Sequence, residues 1–419
     1  MEIEAPSQGV LTDLLVRLER FARQFDACIG SAPTRRHLRT YLAGQQSDLP
    51  RKSVEPIALE AGVAPRTLQE FLALHRWDHE EMRDRVQRIV AERHADAAAI
   101  GVIDETSFPK KGDQTAGVQR QYCGATGKID NCVVTVHLGY ATDGFQTLLD
   151  GDLYLPRESW DADPERRRKA GIPDAVSYRP KWQIALELLD RAAANGVRLK
   201  YLTADELYGG TGAFRRGVAE RGLLYVVEVP RSIHGWSRRP AISAPAEKSA
   251  TGRPRRRTRL AEGVQPARPV DELWKRGGPS WHAYHIKETG KGPVVWEARV
   301  TRFHLYEEGL PGEEVWLLVA RNVLDGEVKY FLSNAPEDAP VETLLHVAFS
   351  RSHIERLFET AKGEIGFDHF EVRRYRPLVR HLILSLVNLL FLAEQTERLR
   401  GEKPVVDTMS GKGRRRGAA

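Results

Sequence analysis

Hydrophobic positions change their period twice along the chain. Up to residue 95 they recur at helical spacing, as in Leu11-Thr-Asp-Leu-Leu-Val-Arg-Leu-Glu-Arg-Phe21. Residues 55–72 read as a short helix, a turn at Gly62 and a second helix opened by Pro65, a helix-turn-helix pattern. It would place Arg66, Thr67 and Gln69 toward a groove, although an αα-hairpin packed inside a bundle has the same pattern. The helix over 78–93 carries so much charge that it reads as solvated. From residue 97 the pattern shortens to apolar runs bounded by turns, which predict strands at 99–103, 132–140, 146–155, 200–204 and 223–229. Amphipathic helices at 181–195 and 211–221 fall between them, giving the order β-β-β-α-β-α-β. Residues 156–180 read as an exposed loop anchored by Trp160. Four more strand patterns follow, at 283–287, 294–304, 314–321 and 327–332, and from 342 to 399 the period returns to that of helices.

The pattern predicts an α/β fold with a mixed five-stranded sheet and flanking helices. The expected division is a helical, DNA-binding region at 1–95, a first part of the core at 96–231, a basic loop with a β-rich insertion at 232–338, C-terminal core helices at 339–400, and a basic disordered tail at 401–419.

Composition narrows the partner more than the fold. A chain of 419 residues with 41% hydrophobic and 29% charged residues has material for two or three domains. It shows neither an eighteen-residue apolar run nor a signal peptide, so no membrane is expected, and the apolar stretch 382–392 reads as a buried helix. Cys28, Cys123 and Cys132 are widely spaced and form neither a disulfide framework nor a zinc pattern, which fits a reducing cytoplasm. The net charge of +6 and a pI near 9.1 favour a polyanionic partner. Between residues 231 and 260 nine Arg or Lys stand against one acid. Arg253, Arg255, Arg256, Arg257 and Arg259 there read as phosphate contacts, with a solvated linker as the plain alternative.

Three acids change the picture further. Asp104 follows the apolar run of the first strand and Asp205 follows that of the fourth. A strand-end aspartate usually caps a turn. Two of them on neighbouring strands, with a helical Glu355 downstream, make a set that suits a pair of Mg²⁺ ions, for which Mn²⁺ would substitute. In such a scheme one ion activates water or a 3′-hydroxyl and the other stabilises the leaving oxygen. Arg351, Glu355, Glu359 and Lys362 recur at intervals of four, four and three, so Arg351 and Lys362 share a helix stripe with Glu355 and can contact phosphates. A surface ladder of ion pairs explains the same spacing. Glu105 and Glu206, next to the aspartates, would point to the opposite face and are left out of the metal set. No nucleophilic triad, phosphate loop or dinucleotide fingerprint competes.

These residues carry a resemblance. Asp104, Asp205 and Glu355 in this element order resemble the RNase H-like DDE transposases of bacterial insertion sequences. Arg351-x3-Glu355-x6-Lys362 is similar to the Tyr-x2-Arg-x3-Glu-x6-Lys signature of the branch with a β-rich insertion before the catalytic glutamate. Here Ala348 stands at the tyrosine position, with Phe349 beside it. The blocks Asp104-Glu-Thr-Ser-Phe-Pro-Lys-Lys-Gly112, Gln121-Tyr-Cys-Gly124, Asp130-Asn-Cys132 and Ala204-Asp205-Glu-Leu-Tyr208-Gly209 resemble a subgroup of that branch, and the likeness covers roughly residues 35 to 395. It implies cleavage at terminal inverted repeats, joining of 3′ ends to target DNA, a homodimer in the synaptic complex, and a cytoplasmic, nucleoid-associated protein. In related enzymes an aromatic of the insertion holds a flipped base; Trp274, Trp281 and Trp296 are the candidates here. A non-mobile RNase H-like nuclease and a domesticated DNA-binding regulator of the same fold remain the alternatives.

Overall fold

Polar caps and turn residues mark where the N-terminal helices start and stop. In the computed structural model, which describes residues 8–245, 257–274, 277–289 and 292–402, these are α1 (Gln8–Ala22), α2 (Ala32–Gln45), α3 (Val54–Glu60), α4 (Pro65–Ala73) and α5 (His79–Arg93). Ser31 caps α2 by accepting from the Thr34 amide, and Asp78 caps α5 by accepting from Glu81. Between α3 and α4 the chain turns at Gly62 with φ +67°, a conformation that costs glycine little. The charged α5 is not a solvated helix. Met82, Val86, Ile89 and Val90 are buried, because a stripe of four apolar residues is enough to dock a helix whose remaining faces are charged.

The sheet follows. Strands β1 (Ile100–Pro109), β2 (Gln119–Cys123), β3 (Lys128–Ala141) and β4 (Gln146–Leu153) form an antiparallel group, with β2 and β4 sharing the outer edge of the long β3. Helices α6 (Pro164–Ala170) and α7 (Lys181–Ala194) lead to β5 (Tyr201–Ala204), which is parallel to β1. Then come α8 (Glu206–Gly209), α9 (Gly212–Glu220) and β6 (Leu224–Glu228), parallel to β5. The order β4-β3-β1-β5-β6, three antiparallel strands followed by two parallel ones, is the RNase H-like arrangement.

Three details differ from the pattern-based expectation. The first strand runs to Pro109 rather than ending at Ile103, because residues 105–109 keep pairing with 132–136 of β3. Asp104 therefore lies in mid-strand, at the level where its other neighbour, β5, stops. Residues 156–180 hold α6, capped by Asp163, and the anchor Trp160 is fully buried. Strand β2 was not expected from the polar run 119–123.

The insertion does not stand apart. Strands β7 (His234–Trp236), β8 (Ile242–Ser243), β9 (Arg259–Leu260), β10 (Arg268–Pro269), β11 (His282–Thr289), β12 (Gly292–Glu307), β13 (Leu310–Asn322) and β14 (Val328–Ser333) follow β6. β14 pairs antiparallel with β6, so the insertion prolongs the core into one twelve-stranded sheet, while β8 and β9 form a separate ribbon. Helices α10 (Val341–Phe349), α11 (Ser352–Ile365) and α12 (Tyr375–Glu402) complete the chain. α12 is long and apolar enough to cross a membrane, but 78% of its most apolar window is buried in the fold, as in a core helix.

Strand parity decides what each side chain meets. Ile103, Tyr225 and Val227 join the core containing α7 and α9, whereas Val102, Val226 and Phe331 join that containing α10 and α11. Asp104 and Glu228 share the parity of the second set, and so does Lys329 of β14.

Two buried histidines tie the layers together. His381 of α12 accepts at Nδ1 from the Tyr41 hydroxyl, 2.8 Å, and faces the Phe367 carbonyl with Nε2, 3.1 Å. His137 of β3 meets the Asp150 carbonyl at 3.2 Å and the Thr135 hydroxyl at 2.7 Å. Burial pushes both imidazoles down to about 4. A base depressed in the folded state adds stability above its unfolded pKa near 6.5, and that stability is lost as pH falls toward the folded value. Each histidine is thus expected to cost about 2 kcal/mol between pH 7 and pH 5. Denaturant midpoints across that range check this; an unchanged midpoint would contradict it.

Candidate active site

Asp104 is the most constrained of the acids. Its Oδ1 accepts the next backbone amide, that of Glu105, at 2.7 Å, and its Oδ2 accepts from Arg351 Nη1 at 3.2 Å. Burial, then the Asp205 carboxylate, pushes its pKa up to about 7, against the pull of Arg351. Asp205 follows the last residue of β5 and caps α8, with Oδ1 accepting from Leu207 (3.0 Å) and Tyr208 (3.4 Å). Burial raises its pKa too. Glu355, in the first turn of α11, is half exposed and bound to Arg351 Nη2 at 2.6 Å. One guanidinium thus bridges Asp104 and Glu355, so their carboxylates are separated by no more than the fork and two hydrogen bonds.

The opposite parity holds for Glu105, whose carboxylate pairs with Lys181 of α7 at 2.7 Å. Glu206 belongs to α8 rather than to a strand. The alternation argument thus describes Glu105, while Glu206 lies on a helix, where strand parity does not apply.

Four residues of the site carry no role assigned from the sequence: Glu228, Lys329, Tyr208 and Gly209, the last two standing only within the block after Asp205. Glu228, the last residue of β6, lies 4.0 Å from Arg351 Nε and is held by Lys329 at 3.1 Å. An acid closing an apolar strand was the available signal, the same one that marked Asp205; nothing in the sequence points to Lys329. Tyr208 is fully buried, its hydroxyl finds no hydrogen-bond partner among the described residues, and burial and then Glu105 hold its pKa far above the usual phenol range. Gly209 supports all of this by absence of a side chain. A Cβ there would run into the carbonyl oxygen of Glu228, part of the backbone that pairs with β14. Gly209→Ala is expected to displace the turn after Asp205 and to destabilise the fold by about 2 kcal/mol. Thermal unfolding measures this; a variant as stable as the parent would show that the approach relaxes without cost.

The other expected residues are placed unequally. Lys362 is on the stripe of Glu355 but half buried, its Nζ 5.8 Å from the Phe108 ring centre, and burial lowers its pKa. Arg66 is exposed on α4 beside Glu70, 2.8 Å away, while Leu68, Phe71 and Leu72 pack inward. Packing thus accounts for the inner face of α4, and the face that carries Arg66 is open to solvent. Arg257 and Arg259 are exposed, the latter in β9; Arg253, Arg255 and Arg256 lie outside the described residues. Trp296 is buried against Phe349, ring centres 4.6 Å apart, and is a core residue. Trp281 has the guanidinium groups of Arg299 and Arg321 at 4.3 and 4.4 Å, and Trp274 packs on the core.

The three acids offer oxygen donors, which suit a hard divalent cation in kind. As the side chains stand, no three acids, histidines or cysteines among the described residues are gathered closely enough to hold one. The guanidinium of Arg351 takes up the space between two of them.

Residues 24–293 match the family of DDE superfamily endonucleases, well over half of the chain. The chain belongs to that family. The matched stretch of this DDE family member contains Asp104 and Asp205 and ends before Glu355. A relative from Microchaete diplosiphon, named "Probable transposase for insertion sequence element IS701", is 34% identical over 190 residues, covering 45% of this chain and 47% of the relative. The likeness therefore spans about half the relative's length.

Proposed function

We infer that the protein is a transposase that binds the terminal repeats of an insertion sequence, cleaves the DNA and joins the 3′ ends to a target. The observation that carries this reading is the pairing of Asp104 and Glu355 with one guanidinium, that of Arg351, on an RNase H-like sheet, with Asp205 near enough to raise the pKa of Asp104. Family membership and the transposase name of the Microchaete relative point the same way.

Asp104, Asp205 and Glu355 would hold Mg²⁺, with Mn²⁺ as substitute, to supply an activated water or 3′-hydroxyl and charge stabilisation at the leaving oxygen. The chain's own side chains do the rest. Arg351 offers a planar fork that matches a phosphate bidentately, and Lys362, farther along α11 and half buried beside Phe108, would reach the next phosphate by swinging outward. The high pKa of Asp104 follows from burial that an arriving cation would offset. Arg66 on α4 and the basic run from Arg253 to Arg259 add contacts to the duplex away from the scissile bond. A homodimer would hold two element ends for paired cleavage.

The test is incubation with duplex DNA carrying the element's own ends and Mg²⁺, followed by mapping of cut strands and joined products. Cleavage at the ends with strand transfer supports the reading. Binding without cleavage would favour a regulator, and cleavage of plain RNA–DNA hybrids instead would favour a non-mobile nuclease.

A further inference from the structure

Arg351 precedes α11, and its side chain makes no cap to that helix, so its hydrogen bonds are free to serve the acids around it. Three carboxylates surround its guanidinium: Glu355 at 2.6 Å, Asp104 at 3.2 Å and Glu228 at 4.0 Å. Burial works against its charge, yet Glu355, then Asp104, then Glu228 hold its pKa above that of a free arginine. Among the described residues no other basic side chain forms an ion pair with Asp104. The oxygens that bind this guanidinium are those a divalent ion would need, and the two cations exclude one another.

We propose that Arg351 is an interlock between DNA and metal. In the DNA-free chain its guanidinium occupies the cation position between Asp104 and Glu355, and divalent metal enters once a phosphate draws the guanidinium away. A phosphate offers the fork the same bidentate geometry as a carboxylate, so the exchange keeps Arg351 paired throughout. Glu228, itself held by Lys329, keeps the Nε edge of the side chain beside the site during the exchange. The effect would be to hold the metal site shut until the scissile strand is in place. This rests on the reading of Asp104 and Glu355 as metal ligands.

Mn²⁺ is the probe, and its free fraction can be read from its paramagnetic resonance signal in the presence of the full-length chain. Without DNA, Arg351→Gln is expected to bind Mn²⁺ at least about tenfold more tightly than the parent. Adding a plain duplex oligonucleotide should tighten binding by the parent and change the variant little. Arg351→Lys keeps a positive charge but cannot bridge two carboxylates, and should fall between the two. Asp104→Asn should remove this binding in every background. Equal, Asp104-dependent affinity in parent and Arg351→Gln would overturn the interlock and leave the metal site standing. Mn²⁺ binding that survives Asp104→Asn would overturn the metal assignment itself.

Discussion

Replacing Asp104, Asp205 or Glu355 by its amide is expected to slow Mg²⁺-dependent strand cleavage by at least about 10³-fold, equivalent to several kcal/mol of lost transition-state stabilisation. DNA binding should survive, because each change removes a negative charge from a surface that approaches phosphates. The amide is chosen over alanine to keep side-chain volume in a packed region. Asp104→Asn has a second expected signature. An acid whose folded pKa is raised contributes stability below its unfolded value near 4, and that contribution is lost as pH rises through the folded value of about 7. Above pH 7, without metal, the Asn variant should therefore unfold at a higher temperature than the parent. Lost cleavage with raised stability separates a catalytic defect from a folding one. Substantial cleavage by any of the three variants would remove that residue from the set.

The core order of strands could be read from the sequence because its signals are local. Runs such as 200–204 and 223–229 are short, mostly apolar segments bounded by turn residues, a pattern that suits a buried parallel strand. The two aspartates were visible for the same reason, as charges closing apolar runs. Relations across the chain were not visible. Whether β1 ends at Ile103 depends on the partner that residues 105–109 find in β3, and no periodicity within 99–112 encodes it. The fate of Arg351 is similar. Its spacing to Glu355 put it on the right stripe, but only the fold brings it to Asp104, 247 positions earlier. Glu228 and Lys329 meet through a pairing between β6, the last strand of the first core segment, and β14, the last strand of the insertion. The seam between α2 and α12, where Gln45 meets Ser385 and Asn388, was likewise hidden, since polar residues in an apolar helix look like interruptions until their partners appear.

That seam bears on how the N-terminal helices are oriented over the catalytic sheet. Arg380 of α12 is buried, and its guanidinium donates to the carbonyls of Leu72 (2.9 Å), His75 (3.0 Å) and Trp77 (2.9 Å), with Phe71 at 3.4 Å. It also lies 4.3 Å from the Trp77 ring, which stacks on Phe71. These carbonyls are at and just beyond the end of α4, where a helix leaves its last acceptors unpaired and favours a positive charge. Burial lowers the arginine pKa to about 10, still well above neutrality, so the charge persists. Arg380→Ala would leave several buried carbonyls without donors and open a gap beside Trp77, an expected loss of about 3 kcal/mol. Arg380→Lys restores the charge but not the fork and should recover part of it. Hydrogen exchange locates the effect: amides of residues 65–78 should lose protection before those of β1 and β5. A uniform loss across the sheet would mean that Arg380 supports the whole fold rather than the docking of the α3–α4 hairpin. With that docking loosened and Asp104 untouched, cleavage should fall through weaker binding of DNA ends, and raising the DNA concentration should restore it.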